Sequence, residues 1–175
     1  MWGLFKRTKI ETENVFRILE VSEQIKDKGL REECLKILAE KTEEIIASYE
    51  LCDVTSSMVH IILDLPKLSL NSEYELISWI FEWAKVKSKD EDSLCANARE
   101  YLEKLLQDLD FLSLTAEEFS MLCENNPNIF SEDEKTRISM NIASISLKIL
   151  LPGMMEMPDF FDKDLKPREY TRAKV

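Results

Sequence analysis

Leu68-Ser69-Leu70-Asn71-Ser72-Glu73-Tyr74-Glu75-Leu76-Ile77-Ser78-Trp79-Ile80-Phe81-Glu82-Trp83-Ala84 is the stretch on which the fold turns. Ser72 and Glu75 stand at the spacing of a capping box, in which a hydroxyl and a carboxylate satisfy the orphan N–H groups of a helix start. Beyond them, Glu75, Ser78, Glu82 and Lys85 recur at helical spacing and draw one narrow polar stripe. Tyr74, Leu76, Ile77, Trp79, Ile80, Phe81, Trp83 and Ala84 fill the other faces. A helix apolar on most sides has to be surrounded by other elements, so this one is expected at the centre of the molecule. Leu68-Ser69-Leu70 alternates like a short strand. Between two helices it is read as an extended connector with both leucines turned inward.

Upstream, the spacing predicts a helix from Thr12 to Lys26, capped by Thr12, with Val15, Ile18, Leu19, Ser22 and Ile25 on one face. Gly29 follows, with the backbone freedom of a tight link. A second helix is expected from Leu30 to Ser48, and such a short link makes the two an antiparallel hairpin. A third, from Thr55 to Asp64, stops before Pro66. Downstream, Lys87 to Asp92 reads as a charged loop and Ser93 to Asp108 as a helix with Leu94, Ala98, Leu102 and Leu105 inward. Thr115 with Glu118 and Ser131 with Glu134 are two further capping boxes. They open a helix through Glu124 and another through Leu147, the latter with Ile138, Ile142, Ile145 and Ile149 inward. From Pro152 on, proline and charge lack any period. The expected fold class is therefore all-α: stacked antiparallel helix pairs forming a short α-solenoid-like bundle. Residues 1–11 form an N-terminal extension, residues 12–150 the helical domain and residues 151–175 a flexible tail or linker.

Composition narrows the function. The chain has 175 residues, 45% of them hydrophobic, which is enough for one domain with a real core. Its formal net charge of −11 repels phosphate backbones and anionic lipid, so neither nucleic acid nor membrane is an expected partner. Cys34, Cys52, Cys95 and Cys123 are far apart and His60 is the sole histidine, so the local ligand spacing of a zinc site is absent. Four cysteines could form a disulfide framework by count, but reduced, buried thiols in the cytoplasm are the expected state.

Several pieces of this sequence resemble one family. Leu68-x-Leu70-x-Ser72-Glu73-x-Glu75-Leu76 followed by Trp83-Ala84 is similar to the central signature of the BACK domain, which follows the BTB domain in many adaptor proteins. Asn14 through Leu19 and Leu30-x-x-x-Cys34-Leu35 resemble the helix pair that joins BTB to BACK. Thr42-Glu43-Glu44-Ile45-Ile46-x-Ser48 resembles the subgroup in which a β-rich PHR domain follows, and Phe111-Leu112-x-Leu114-Thr115-x-Glu117-Glu118-Phe119 is similar to that family's segment after the fifth helix. The BTB domain expected before residue 12 and a substrate-reading domain after the tail do not appear in this sequence. The resemblance implies a BACK-like helical fold and a non-catalytic role in a substrate adaptor for a cullin-RING ubiquitin ligase, with cullin and a BTB domain as partners. The competing reading is a helical scaffold or oligomerisation module with no ubiquitin-ligase role. The family-signature and core residues are Cys34, Leu35, Leu68, Leu70, Ser72, Glu73, Leu76, Trp83 and Phe119. Val15, Phe16, Leu19 and Trp79 are the candidates for a partner surface.

Candidate chemistry is weaker. Glu32 with Glu33, Glu43 with Glu44 and Glu117 with Glu118 could be acid–base pairs, but they lie on expected solvent faces or at helix starts, where acids favour the dipole. His60 beside Cys52 or Asp64 reads as a packed or edge residue, and Cys34 has Glu32 and Glu33 as well as Arg31 close by. Met154, Met155 and Met157 form an apolar cluster that suits a linker better than a docking peptide. No catalytic residue, metal, cofactor or small-molecule substrate is expected.

Overall fold

A computed structural model describes residues 9–89, 97–146, 158 and 166–171. The chain is mostly helical, with eight α-helices and a single two-stranded sheet among the described residues.

Helix α1 (Val15–Gln24) and helix α2 (Lys28–Glu40) form the expected N-terminal hairpin. Asn14, not Thr12, is the N-cap residue of α1, and its side chain braces the approach to the helix by accepting from Glu11 N–H and donating to the Lys9 carbonyl. The link between the helices turns at Lys26, whose φ of 57° lies in the left-handed region. Gly29 instead sits in the first turn of α2, behind the N-cap Asp27, which accepts from Leu30 N–H.

The expected long second helix is two helices. The helix breaks at Lys41, whose backbone leaves the helical region, and helix α3 (Thr42–Ser48) follows at once. The break has an identifiable cause. Thr42 donates its hydroxyl back to the Leu38 carbonyl and accepts from Ser69 N–H, while Glu43 N–H donates to the Ser69 carbonyl. The connector thus inserts its backbone where the helical ladder would have continued.

Helix α4 (Ser56–Leu63) is capped by Thr55. Strand β1 (Lys67–Leu68) follows, and Leu68 and Leu70 are both buried, as expected of the connector. The strand character has a partner outside the helical domain: β1 pairs in parallel with β2 (Glu169–Tyr170).

Helix α5 (Glu73–Lys87) is the centre. Leu76, Ile77, Ile80, Phe81, Trp83 and Ala84 are all buried, and Trp83 donates its indole N–H to the Val54 carbonyl at 2.9 Å. Only half of the expected capping box forms. Ser72 accepts from Glu75 N–H at 3.4 Å, but the Glu75 carboxylate reaches past Ser72 to the backbone and side-chain N–H groups of Asn71.

Helix α6 (Ala98–Leu102) is shorter than the helix expected from Ser93 to Asp108. Two 3₁₀ turns, Leu106–Asp108 and Phe111–Ser113, carry the chain on, and their leucines and Phe111 still fill the core. Leu94 and Cys95 lie outside the described residues. Helix α7 (Ala116–Asn125) and helix α8 (Glu132–Ser146) form the last hairpin, each opened by its predicted reciprocal box. Phe81, Phe111, Phe119 and Phe130 meet in one aromatic cluster that ties α5 to the second 3₁₀ turn, α7 and the link before α8, with ring centroids 5.5 Å apart for Phe111 and Phe130. Ile138 and Ile142 are inward, as expected, whereas Ile145 is exposed. Ile149 lies outside the described residues.

Candidate interaction surfaces

Three of the residues expected on a partner surface are core instead. Val15, Phe16 and Leu19 are buried between α1 and its neighbours, and Phe16 meets the Tyr49 ring edge-on at 5.5 Å. The expectation failed because the apolar stripe of a hairpin helix is used first to close the hairpin, which leaves the flanks for solvent. The apolar side chains that α1 and its exit do expose are Val21, 44% exposed, and Ile25, 61% exposed. Ile25 was expected on the inward stripe. It is the C-cap residue, where the chain has left the helix face that packs on α2. Trp79 is half-buried, packed against the core with part of its ring accessible.

The family-signature positions sort differently. Cys34, Leu68, Leu70, Leu76, Trp83 and Phe119 are buried apolar residues, Leu35 is half-buried, and Ser72 is the N-cap of α5. Glu73 has another environment altogether. It is the first residue of α5, in the first turn of the helix. Its side chain is 3% exposed and is gripped from three sides. Arg168 forms an ion pair with it at 3.0 Å, with the arginine side chain itself only 5% exposed. Asp110 N–H donates to the same oxygen at 3.0 Å, and the Tyr170 hydroxyl donates to the other oxygen. The remaining guanidinium donors go to main-chain carbonyls, Leu63 from Nε and Nη2 and Asp108 from Nη2. Two more bonds continue the strand pairing, from Glu169 N–H to the Pro66 carbonyl and from Thr171 N–H to the Leu68 carbonyl.

This cluster corrects the reading of residues 151–175 as a flexible tail or linker for the part that is described. Residues 166–171 are held by strand pairing and a buried, fully bonded charge pair. Burial, followed by the charge of Glu73 and the hydrogen bond to it, pushes the Tyr170 phenol well above its ordinary range, with Arg168 opposing. Nothing in the sequence around Arg168 pointed to Glu73. The one available signal was the alternation at Leu68-Ser69-Leu70, which does belong to a strand edge.

The chemical candidates do not converge. Cys34, Cys52 and Cys123 are free thiols. Burial raises the Cys34 thiol, helped by Glu33, and pushes Cys123 up to about 11, against the opposing charge of Lys135 and with Glu132 and Glu124 adding to it. Such thiols stay protonated and unreactive near neutral pH. His60 is exposed on α4. No group of His, Cys, Asp and Glu among the described residues could hold a metal ion, and no described helix is long and apolar enough to cross a membrane. An open hollow of about 650 Å³ beside Lys85 and Arg99 has its cations engaged, Lys85 with Glu82 and the Asn125 carbonyl, Arg99 with Glu134 and the Ile129 carbonyl.

The family model for BACK, described as BTB And C-terminal Kelch, matches residues 15–98. That span runs from the first residue of α1 through the central helix to the start of α6. Residues 15–98 are a BACK domain. No curated protein and no solved structure matches the chain. The BACK domain belongs to a family of non-catalytic interaction modules found in adaptor and scaffold proteins of the BTB type. Phe119, read as part of the same signature, lies beyond the matched residues, as do Arg168 and Tyr170 of the strand that closes on Glu73. The BACK domain here therefore shares its core with later elements, since Phe81 of α5 packs directly on Phe111 and Phe130.

Proposed function

We propose that this chain is the BACK part of a cytoplasmic substrate adaptor for a cullin-RING ubiquitin ligase, closest to the subgroup in which a PHR domain follows. The observation that carries the reading is the match of residues 15–98 to the BACK model, because that module works alongside a BTB domain. The N-terminal hairpin supports it. With Val15, Phe16 and Leu19 committed to the core, α1 and its C-cap still present Val21 and Ile25 to solvent. A partner surface therefore sits at the end of α1 that turns into α2, with half-buried Trp79 as a separate contact point on α5.

Such a patch is small. Two exposed aliphatic side chains fall far short of the ~1,000 Å² that a stable interface needs. The hairpin would add to a cullin contact made mainly by a BTB domain. Titration of a cullin N-terminal domain against a cullin-binding BTB domain, alone and fused in front of this chain, tests the proposal. The fusion should bind more tightly, because linked contacts act at high effective concentration. Equal affinities would remove the ubiquitin-ligase role and leave a helical scaffold or oligomerisation module.

A further inference from the structure

The cleft that holds residues 166–171 is assembled from parts that call for a cation on an extended strand. Its floor offers the carbonyl of Leu63, at the last turn of α4, and the carbonyl of Asp108, at the end of a 3₁₀ turn. Both carbonyls lie at C-terminal ends of helical turns, where the backbone carries partial negative charge. Between them lies the buried Glu73 carboxylate, to which the domain itself contributes one donor, Asp110 N–H. Without Arg168 and Tyr170 this would be a buried anion with a single backbone donor, a costly arrangement that a guanidinium resolves in one step. The wall of the cleft is β1, which pairs with the extended backbone of the strand through the Pro66 and Leu68 carbonyls.

What the strand contributes is correspondingly simple. Its side-chain recognition rests on Arg168 and, two residues on, Tyr170, both turned to the same face by the period of a strand. Thr171 adds a marginal hydroxyl contact to the Leu68 carbonyl at 3.5 Å. Charge agrees: Lys166, Arg168, Arg172 and Lys174 stand against Glu169 alone in the last ten residues of a chain whose net charge is −11. Of these, Lys166 and Arg168 belong to the described residues seated on the acidic domain, and the strand pairing spans only two residues on each side.

We propose that this cleft is a peptide-binding site for extended segments carrying arginine and tyrosine two residues apart. It is closed in cis by Arg168-Glu169-Tyr170 and is open in trans to a partner segment with the same pair. Recognition follows β-strand addition, in which main-chain bonds give affinity and alternate side chains give specificity. The cis strand acts as a competitor at the high effective concentration that tethering confers.

The test uses the full chain and a labelled peptide of residues Lys166–Val175, followed by fluorescence anisotropy. Wild-type chain should bind it weakly, because its own strand occupies the cleft. The Arg168→Ala chain has an intact cleft and a loosened strand, and should bind at least about tenfold more tightly. The same peptide carrying Arg168→Ala should bind neither chain. Glu169→Pro, which removes the N–H donated to Pro66, is a second route to an open cleft. If both variants are unfolded alone, saturating wild-type peptide should restore their thermal transition. Equal binding of both peptides would reduce the effect to non-specific charge and overturn the proposal. So would failure of the wild-type peptide to bind the folded variants or to rescue the unfolded ones.

Discussion

The central helix and the closing strand are held by opposite kinds of force. Helix α5 is fixed by apolar surface removed from water on nearly every side, with one indole hydrogen bond inside. The strand at residues 166–171 contributes little apolar area. It is fixed by a guanidinium, a phenol and a few main-chain bonds that converge on one buried carboxylate. The first kind of attachment is spread over many side chains, none of them indispensable for direction. The second is concentrated, directional and switchable, since losing one partner strands the others. Glu73 belongs to both regions, being the first residue of α5 and the anchor of the strand.

The largest effect that separates the two regions is expected at Trp83. Its side chain is 1% exposed and lies edge-on to Tyr101, with ring centroids 5.9 Å apart. Trp83→Ala should destabilise the chain by ~3–5 kcal/mol, the range for deleting a large buried aromatic. It should do so at every pH and salt concentration, because no charge is involved. Chemical denaturation measures it, and a loss under ~1 kcal/mol would mean that α5 is not the centre of the core.

A smaller and pH-dependent effect is expected at Tyr170. Its hydroxyl donates to a charged acceptor, a class of bond worth about 1.5–3 kcal/mol, and partial exposure places this one at the lower end. The folded phenol titrates above its unfolded value, so the stabilisation is complete below about pH 10 and is lost as pH rises beyond it, when the unfolded chain releases the proton that the folded chain keeps. Thermal melts from pH 7 to 11 should therefore show a steeper alkaline decline for wild type than for Tyr170→Phe. Parallel declines would show that the phenol is not held against Glu73.

How far these regions could be read from sequence follows the same division. Burial with a period is legible: the polar stripe of Glu75, Ser78, Glu82 and Lys85 was enough to place α5 at the centre, and Thr115 with Glu118 was enough to start α7. Directional contacts between distant segments are not. Glu73 looks like any acid in the first turn of a helix, and its partner Arg168 lies in a segment with no period at all. The break at Lys41 was hidden for the same reason, because Ser69 causes it from elsewhere in the chain. Periodicity also marks which face of a helix is apolar without saying where that face stops being covered, which is why Ile25 and Ile145 were expected inward and are exposed.

The smallest expected effect on stability belongs to that uncovered end, and it asks whether the N-terminal hairpin is a third kind of region, apolar for a partner instead of for the fold. Val21 and Ile25 are 44% and 61% exposed, so they contribute little to the core. Surface substitutions away from caps and cores usually change stability by less than ~0.5 kcal/mol. Val21→Glu and Ile25→Glu should thus leave the denaturation midpoint nearly unchanged, and removing exposed apolar surface should not harm solubility. Lys26 makes the outcome informative. Its left-handed backbone turns the chain just after Ile25, and Asp27 N–H donates to the Ser22 carbonyl across the turn, so the patch sits at a hydrogen-bonded corner. In the BTB fusion, the double substitution should abolish whatever gain in cullin affinity the wild-type chain confers. A gain that survives both substitutions would move the contact to Trp79 or to the polar face of α2, and would leave Val21 and Ile25 as ordinary exposed side chains.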